Sequence, residues 1–245
     1  MNNKLFLRIA VLVFAILQPV TAYFSDLGSS GNLMDQMSNP TITPAGYAFG
    51  IWGVITVGSL LYAIYQILPA RRNKVLYEMI APYSIAVFAG FSIWLYAADR
   101  DWLLATVIIF IGMGYSLYCL FPFVLKAQTE KNLSLFEQIA TYGTFGLYAG
   151  WTTVAIFANI ASAIKFSGVS DMGAIGLAWQ TIVLLAATSV ALLFITKTKG
   201  SAPYTAAIVW AFVAVTIGTI QRGDIASFLP WVAGTATFLI VGQYI

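Results

Sequence analysis

The residue types that usually carry reactions are nearly missing from the apolar parts of this chain, and aromatic side chains stand in their place. The 245 residues contain no histidine and one cysteine, Cys119. The commonest metal ligand, the usual axial ligand of haem and the usual acid–base group near neutral pH are therefore absent. Cys119 lies in an apolar stretch, can form no internal disulfide and has no histidine to activate it as a nucleophile. No apolar stretch carries a carboxylate and none has a central lysine, which argues against a proton relay, a paired-carboxylate hydrolase or a retinal Schiff base. Neither a P-loop nor a G-x-G-x-x-G motif occurs. On these grounds the chain is read as a non-enzyme, and the chemistry left to it is recognition.

Two stretches could do that work. The first is Pro44-Ala45-Gly46-Tyr47-Ala48-Phe49-Gly50-Ile51-Trp52, where a polar loop turns into a long apolar segment. Proline suits a first helical turn, where its missing N–H has no partner to lose. Gly46 and Gly50 are four apart and share a face on which a second backbone can come close. Phe49 and Trp52 are three apart and share another. The spacing predicts a helix mouth with one close-packed side and one aromatic side. The second stretch runs from Gly143 to Asn159. Gly143, Gly146 and Gly150 form a small-residue stripe, and Trp151, Ala155 and Asn159 recur every four residues on one face. Asn159 is costly to bury in lipid unless a ligand or a helix-packing hydrogen bond satisfies it. Small-residue faces and interfacial aromatics are also ordinary in membrane helices, so spacing alone does not make either stretch a site.

The elements that must position these residues are spanning helices. The chain is 60% hydrophobic and 9% charged, with a mean hydropathy of +0.85, whereas soluble domains carry about 25% charged residues. A spanning helix needs about 20 mostly apolar residues. Eight segments qualify: 5–23, 46–68, 79–98, 102–125, 138–164, 174–196, 203–221 and 225–244. The fold class is all-α, a polytopic transmembrane bundle of about eight helices. The first segment has the look of a signal peptide, with Lys4 ahead of an apolar run and Val20-Thr21-Ala22 as a cleavage site, but is read as a retained span. Pro122, near the end of the fourth segment, predicts a kink or an early stop.

Basic residues fix an expected orientation. Lys4 and Arg8, then Arg71, Arg72 and Lys74, then Lys126 and Lys131, then Lys197 and Lys199 mark alternate loops. The loops between them hold Arg100, Lys165 and Arg222, each with an aspartate nearby. Both termini are therefore placed on the cytoplasmic side. A net charge of +3 confined to loops gives no reason to expect nucleic acid. Residues 24–43 form a long polar loop with Asp26 and Asp35, read either as a lid over the mouth or as a passive connector.

These stretches resemble the TspO/MBR family, the tryptophan-rich sensory, translocator-protein-like proteins. Its second helix opens with P-P-x-W-x-F-G-P-V-W. Pro44, Phe49, Gly50 and Trp52 match; Tyr47 replaces the first tryptophan, Ala45 the second proline, and one residue is missing between Gly50 and Trp52. Its fifth helix reads W-V-S-F-A-T-Y-L-N, with tryptophan, alanine and asparagine at the spacing of Trp151, Ala155 and Asn159. Its third helix carries N-x-x-W; here Phe91-Ser92-Ile93-Trp94 keeps the tryptophan and loses the asparagine. The resemblance covers roughly residues 5–164. It implies a five-helix core over 1–164 and a three-helix extension over 165–245. It also implies a ligand site at Tyr47, Phe49, Trp52, Trp94, Trp151, Ala155 and Asn159, with Gly46, Gly50, Gly143, Gly146 and Gly150 as helix-packing positions.

In the extension, Trp179 and Trp231 read as interfacial aromatics, Trp210 lies deeper, and Gln180 is membrane-embedded and must find a partner. Trp102, beside the Asp99-Arg100-Asp101 turn, reads the same way as the interfacial tryptophans.

The family is associated with porphyrins and, in some members, with sterols or other lipids. The resemblance therefore implies a protein of the bacterial inner membrane, or an equivalent energy-transducing membrane. It would hold a flat apolar molecule, a tetrapyrrole, lipid or isoprenoid, without histidine ligation, for transport or sensing. Lipids and a homodimer partner fit that reading. The alternative is an accessory subunit of a larger, pigment-containing membrane complex, docked through the added helices. A membrane enzyme acting on an isoprenoid or tetrapyrrole ranks behind both.

Overall fold

Every backbone N–H and C=O in hydrocarbon must be satisfied within its own segment, so long apolar runs become helices. A computed structural model describes residues 3–25, 39–71, 73–222 and 228–244, and among them the regular structure is entirely helical. Helix α1 spans Asn3–Phe24. A 3₁₀ turn, Gly46–Gly50, leads into α2, Ile51–Ile67. Then come α3, Val75–Ala98, and α4, Leu103–Thr129. Helix α5 covers Leu135–Phe166 and contains a π-helical stretch, Gln138–Gly143. Helices α6, Gly173–Lys197, α7, Ala202–Arg222, and α8, Leu229–Tyr244, complete the chain. Among the described residues seven helices are long and apolar enough to cross a membrane. The exception is α8, whose 16 residues extend about 24 Å at 1.5 Å per residue.

Helix α5 sits at the centre of the bundle. It packs on α4, α6 and α7 and also meets α2, while α1 and α3 close the far side and α8 packs on α6 and α7. Gly146 and Gly150 make the α5–α7 contact possible. A Cβ on Gly146 would lie 2.5 Å from Pro203 Cγ, and one on Gly150 would lie 2.5 Å from Tyr204 O and 2.7 Å from Ala207 Cβ. Without a strong hydrophobic drive between helices in lipid, such close backbone approach supplies the packing.

Three expectations need correction. Gly46 and Gly50 have nothing within 4 Å of an added Cβ, so among the described residues no helix packs against their face. The nearest neighbour of a Cβ on Gly143 is its own helix's Gln138 O at 3.3 Å, so it does not extend the stripe onto α7. Of the kink or early stop expected at Pro122, the early stop does not occur, since helix α4 runs on to Thr129.

Helix α5 also begins earlier than the apolar run suggests. Ser134 is its N-cap, and Ser134 and Glu137 form a reciprocal capping box. Glu137 is thus a carboxylate buried inside a span, contrary to the sequence reading. It accepts from Lys74 Nζ at 2.5 Å, Tyr77 OH at 2.7 Å, Ser134 N at 2.9 Å and Ser134 Oγ at 2.8 Å. Nearby, Arg8 donates to the backbone oxygens of Gln66 at 2.6 Å and Arg71 at 3.0 Å, and Lys4 pairs with Glu78 at 2.9 Å. The N-terminal end of α1 therefore shares one end of the bundle with the Arg71–Lys74 and Lys126–Glu137 regions. The side chain of Tyr244 lies near Gly200, at the junction of α6 and α7. Of the 24–43 loop, residues 26–38, including Asp26 and Asp35, lie outside the described residues.

Candidate functional site

At the other end of the bundle, Trp52 of α2 is the hub of an aromatic cluster. Its ring centroid lies 4.8 Å from Phe91, 5.5 Å from Trp94, 5.5 Å from Tyr148 and 6.2 Å from Trp151. Phe49 meets Trp151 edge-on at 5.8 Å, and Trp94 meets Phe110 at 5.0 Å. Edge-to-face geometry suits the ring quadrupoles and adds about 0.5–1.5 kcal/mol per pair beyond area burial. The cluster surrounds a small cavity of about 20 Å³, room for roughly one water.

The cavity is assembled from five elements. Thr43, Pro44 and Phe49 come from the mouth segment, Trp52 from α2, Trp94 and Phe110 from α3 and α4, and one face of α5 supplies the rest. That face is Trp151, Ala155, Asn159 and Ser162, with Val154 and Ala158 beside it. The order follows from the helical period, which brings residues three and four apart to one side. Of the site residues expected from sequence, Phe49, Trp52, Trp94, Trp151, Ala155 and Asn159 meet here.

Tyr47 does not. It is 47% exposed and packs edge-on against Trp210 of α7 at 5.3 Å. The reason is the 3₁₀ turn, in which residues three apart eclipse, so Phe49 and Trp52 align while Tyr47 points elsewhere. Thr43, Phe110, Val154, Ala158 and Ser162 were not anticipated. Ala158 and Ser162 continue the α5 face and were readable from its period, whereas nothing in the sequence sets Phe110 apart from the other apolar residues of α4.

Most of the buried polar groups left without partners around the cavity are N–H donors. The indole Nε1–H groups of Trp52, Trp94 and Trp151 are all buried and meet no acceptor. Thr43 Oγ1 is likewise buried without a partner. A buried tryptophan N–H usually finds a partner, and leaving a polar group unpaired costs about 1–3 kcal/mol. Asn159 is partly self-satisfied, its Nδ2 donating to Ala155 O of its own helix at 2.8 Å. Among the described residues no group of three or more metal-ligating side chains comes together. The arrangement is a closed, water-sized space walled by aromatic rings and bordered by buried N–H groups without acceptors.

The remaining tryptophans differ from this trio. Trp102 and Trp231 are largely exposed, and Trp179 Nε1 donates to Ser170 O at 3.0 Å. Trp210 Nε1 donates to Ala48 O at 3.0 Å, tying α7 to the mouth. Gln180 has the partners its burial demands: its Oε1 accepts from Ile42 N–H at 3.1 Å, and its Nε2 donates to Asp171 O at 3.0 Å and Gly176 O at 3.1 Å.

The sequence pattern of the TSPO-like protein family matches residues 5–245, so the match continues through α6, α7 and α8. No curated protein and no solved structure matches the chain. Spanning helices throughout, tryptophans of three helices gathered on one cavity, and a family match over nearly the whole length lead to one conclusion: this is a membrane protein belonging to the TSPO-like family.

Proposed function

We propose that the chain binds a flat, largely apolar small molecule bearing hydrogen-bond acceptors, of the porphyrin class, between α2, α3, α4 and α5, and that it serves as a carrier or sensor rather than an enzyme. The observation that supports this is that three tryptophans with buried, unpartnered indole N–H groups line one aromatic cavity. A ligand whose carboxylate or carbonyl accepts from one or more of them removes a cost the free protein carries. The cavity of about 20 Å³ is far smaller than a tetrapyrrole, so binding requires the rings of Phe49, Trp52 and Trp151 to swing apart. The ring π-faces then stack on the ligand in place of one another. The orientation that goes with this reading puts the basic end, with Arg8, Arg71 and Lys74, in the cytoplasm and the aromatic mouth on the opposite side.

Titration of the protein in lipid nanodiscs with protoporphyrin IX tests the reading through tryptophan fluorescence. Quenching is expected to saturate at one ligand per chain. Trp151→Phe keeps an aromatic ring and removes one donor; it is expected to weaken binding about 3- to 10-fold, the worth of one net hydrogen bond. Unchanged affinity in Trp151→Phe and Trp151→Ala alike would remove Trp151 from the site.

A further inference from the structure

The segment from Asn39 to Ala45 is irregular yet buried along its whole length. Its backbone groups have no helix or sheet of their own, and a buried loop must borrow partners. Two bonds are local, Thr43 N–H to Pro40 O and Ala48 N–H to Ala45 O, both at 3.0 Å, and the long-range partners come from residues 165–222. Lys165 Nζ, at the end of α5, donates to Asn39 O at 2.8 Å. On α6, Gln180 Oε1 accepts from Ile42 N–H at 3.1 Å. On α7, the Arg222 guanidinium donates to Thr43 O and, at 3.3 Å, to Pro44 O, while Ala214 O accepts from Ala45 N–H at 2.8 Å. One turn further on, Trp210 fixes the 3₁₀ turn through Ala48 O.

The approach is close because of Gly218, where an added Cβ would stand 2.8 Å from Ala45 N and collide with Thr43 O. The residues so held are the ones that cover the cavity: Thr43 and Pro44 line it directly, and Phe49 follows within the same turn.

We infer that α6 and α7 are the clamp of the ligand mouth, and that Gln180, Trp210 and Arg222 are positioning residues that set where Thr43, Pro44 and Phe49 lie without touching the ligand themselves. This rests on the reading of the aromatic cavity as a ligand site. The helices beyond α5 are on this view part of the binding device. Arg222 contributes most because it is a charged donor serving two successive carbonyls, and hydrogen bonds to charged groups are the stronger kind. Gly218 contributes by absence of a side chain, which lets the mouth segment lie against α7.

The test places a reporter cysteine at Ala45, buried in the clamp, in the full-length protein in nanodiscs, with the native Cys119 as internal reference. Maleimide labelling of each cysteine is read by peptide mass spectrometry, and protoporphyrin IX affinity is measured on the same variants without the reporter. Arg222→Gln and Gly218→Ala are expected to speed labelling at position 45 about tenfold, leave Cys119 unchanged and weaken protoporphyrin IX about tenfold, in line with the loss of a charge-assisted hydrogen bond. Arg222→Lys, which keeps a cation able to reach one carbonyl, is expected to fall between.

Unchanged labelling at position 45 overturns the clamp, and so does a parallel rise at Cys119, because that reports general loosening. Faster labelling at position 45 with undiminished affinity overturns the positioning role. If the wild-type protein takes up no protoporphyrin IX while position 45 still responds, the clamp stands and the ligand reading fails.

Discussion

Helix α5 buries two polar groups about four turns apart, and they are treated in opposite ways. Glu137, at its start, is 1% exposed and has four hydrogen bonds from Lys74, Tyr77 and Ser134. Trp151, in its middle, is 3% exposed and its indole N–H has no partner. A buried polar group that is fully met ties elements together: here Glu137 binds α3 to α5 and caps its own helix. A buried donor that is unmet costs stability in the free protein and favours a ligand that supplies an acceptor. The same helix thus acts as a staple at one end and as the wall of a site at the other.

The largest expected effect falls on the staple. Glu137→Ala removes the acceptor that Lys74 and Tyr77 share and is expected to destabilise the protein by about 3 kcal/mol, toward the low end for a broken buried pair because Lys74 is 30% exposed and keeps Asn132 O at 3.3 Å. Detergent thermal unfolding reads this, and ligand affinity of the folded fraction should stay as in wild type. A large loss of affinity with little loss of stability would reverse the roles assigned to the two ends.

Gly150→Leu comes next. Any side chain at 150 drives into Tyr204 O and Ala207, so the substitution is expected to cost about 1–3 kcal/mol and, through the neighbouring Trp151, to weaken protoporphyrin IX as well. Stability and binding both unchanged would mean that α5 does not pack on α7 through this face. The smallest effect is expected from Trp102→Phe, an exposed indole outside the cavity. It should move stability by less than about 0.5 kcal/mol and leave affinity alone, which separates buried donors from interfacial ones.

Much of this was legible in the sequence, for physical reasons. Hydrocarbon demands long apolar helices, so the spans could be read to within a few residues, and the helical period placed Trp151, Ala155 and Asn159 on one face. The start of α5 was misjudged because Glu137 looked too polar for a span, although Ser134-x-x-Glu137 is itself a helix-start signal. Tyr47 was placed at the site by its position in the family motif alone, and in the 3₁₀ turn that position faces Trp210 instead of the cavity. The mouth-segment partners of Gln180 and Arg222 were out of reach: they are backbone groups 138 and 179 residues away, and a backbone N–H or carbonyl carries no mark in the sequence. Nor does any sequence pattern say that an indole N–H will lack an acceptor.

The central claim is that the unpartnered indoles of Trp52, Trp94 and Trp151 are the ligand's donors. It is tested most directly by indole ¹⁵N–¹H spectra of the tryptophan-labelled protein in nanodiscs, assigned by single Trp→Phe substitutions and recorded with and without protoporphyrin IX. The account predicts that one or more of these three N–H signals move downfield on addition, as expected of a donor that gains an acceptor, while those of Trp102, Trp179 and Trp231 stay in place. Shifts confined to Trp102 or Trp231, with the three buried signals unmoved at saturating ligand, would contradict it.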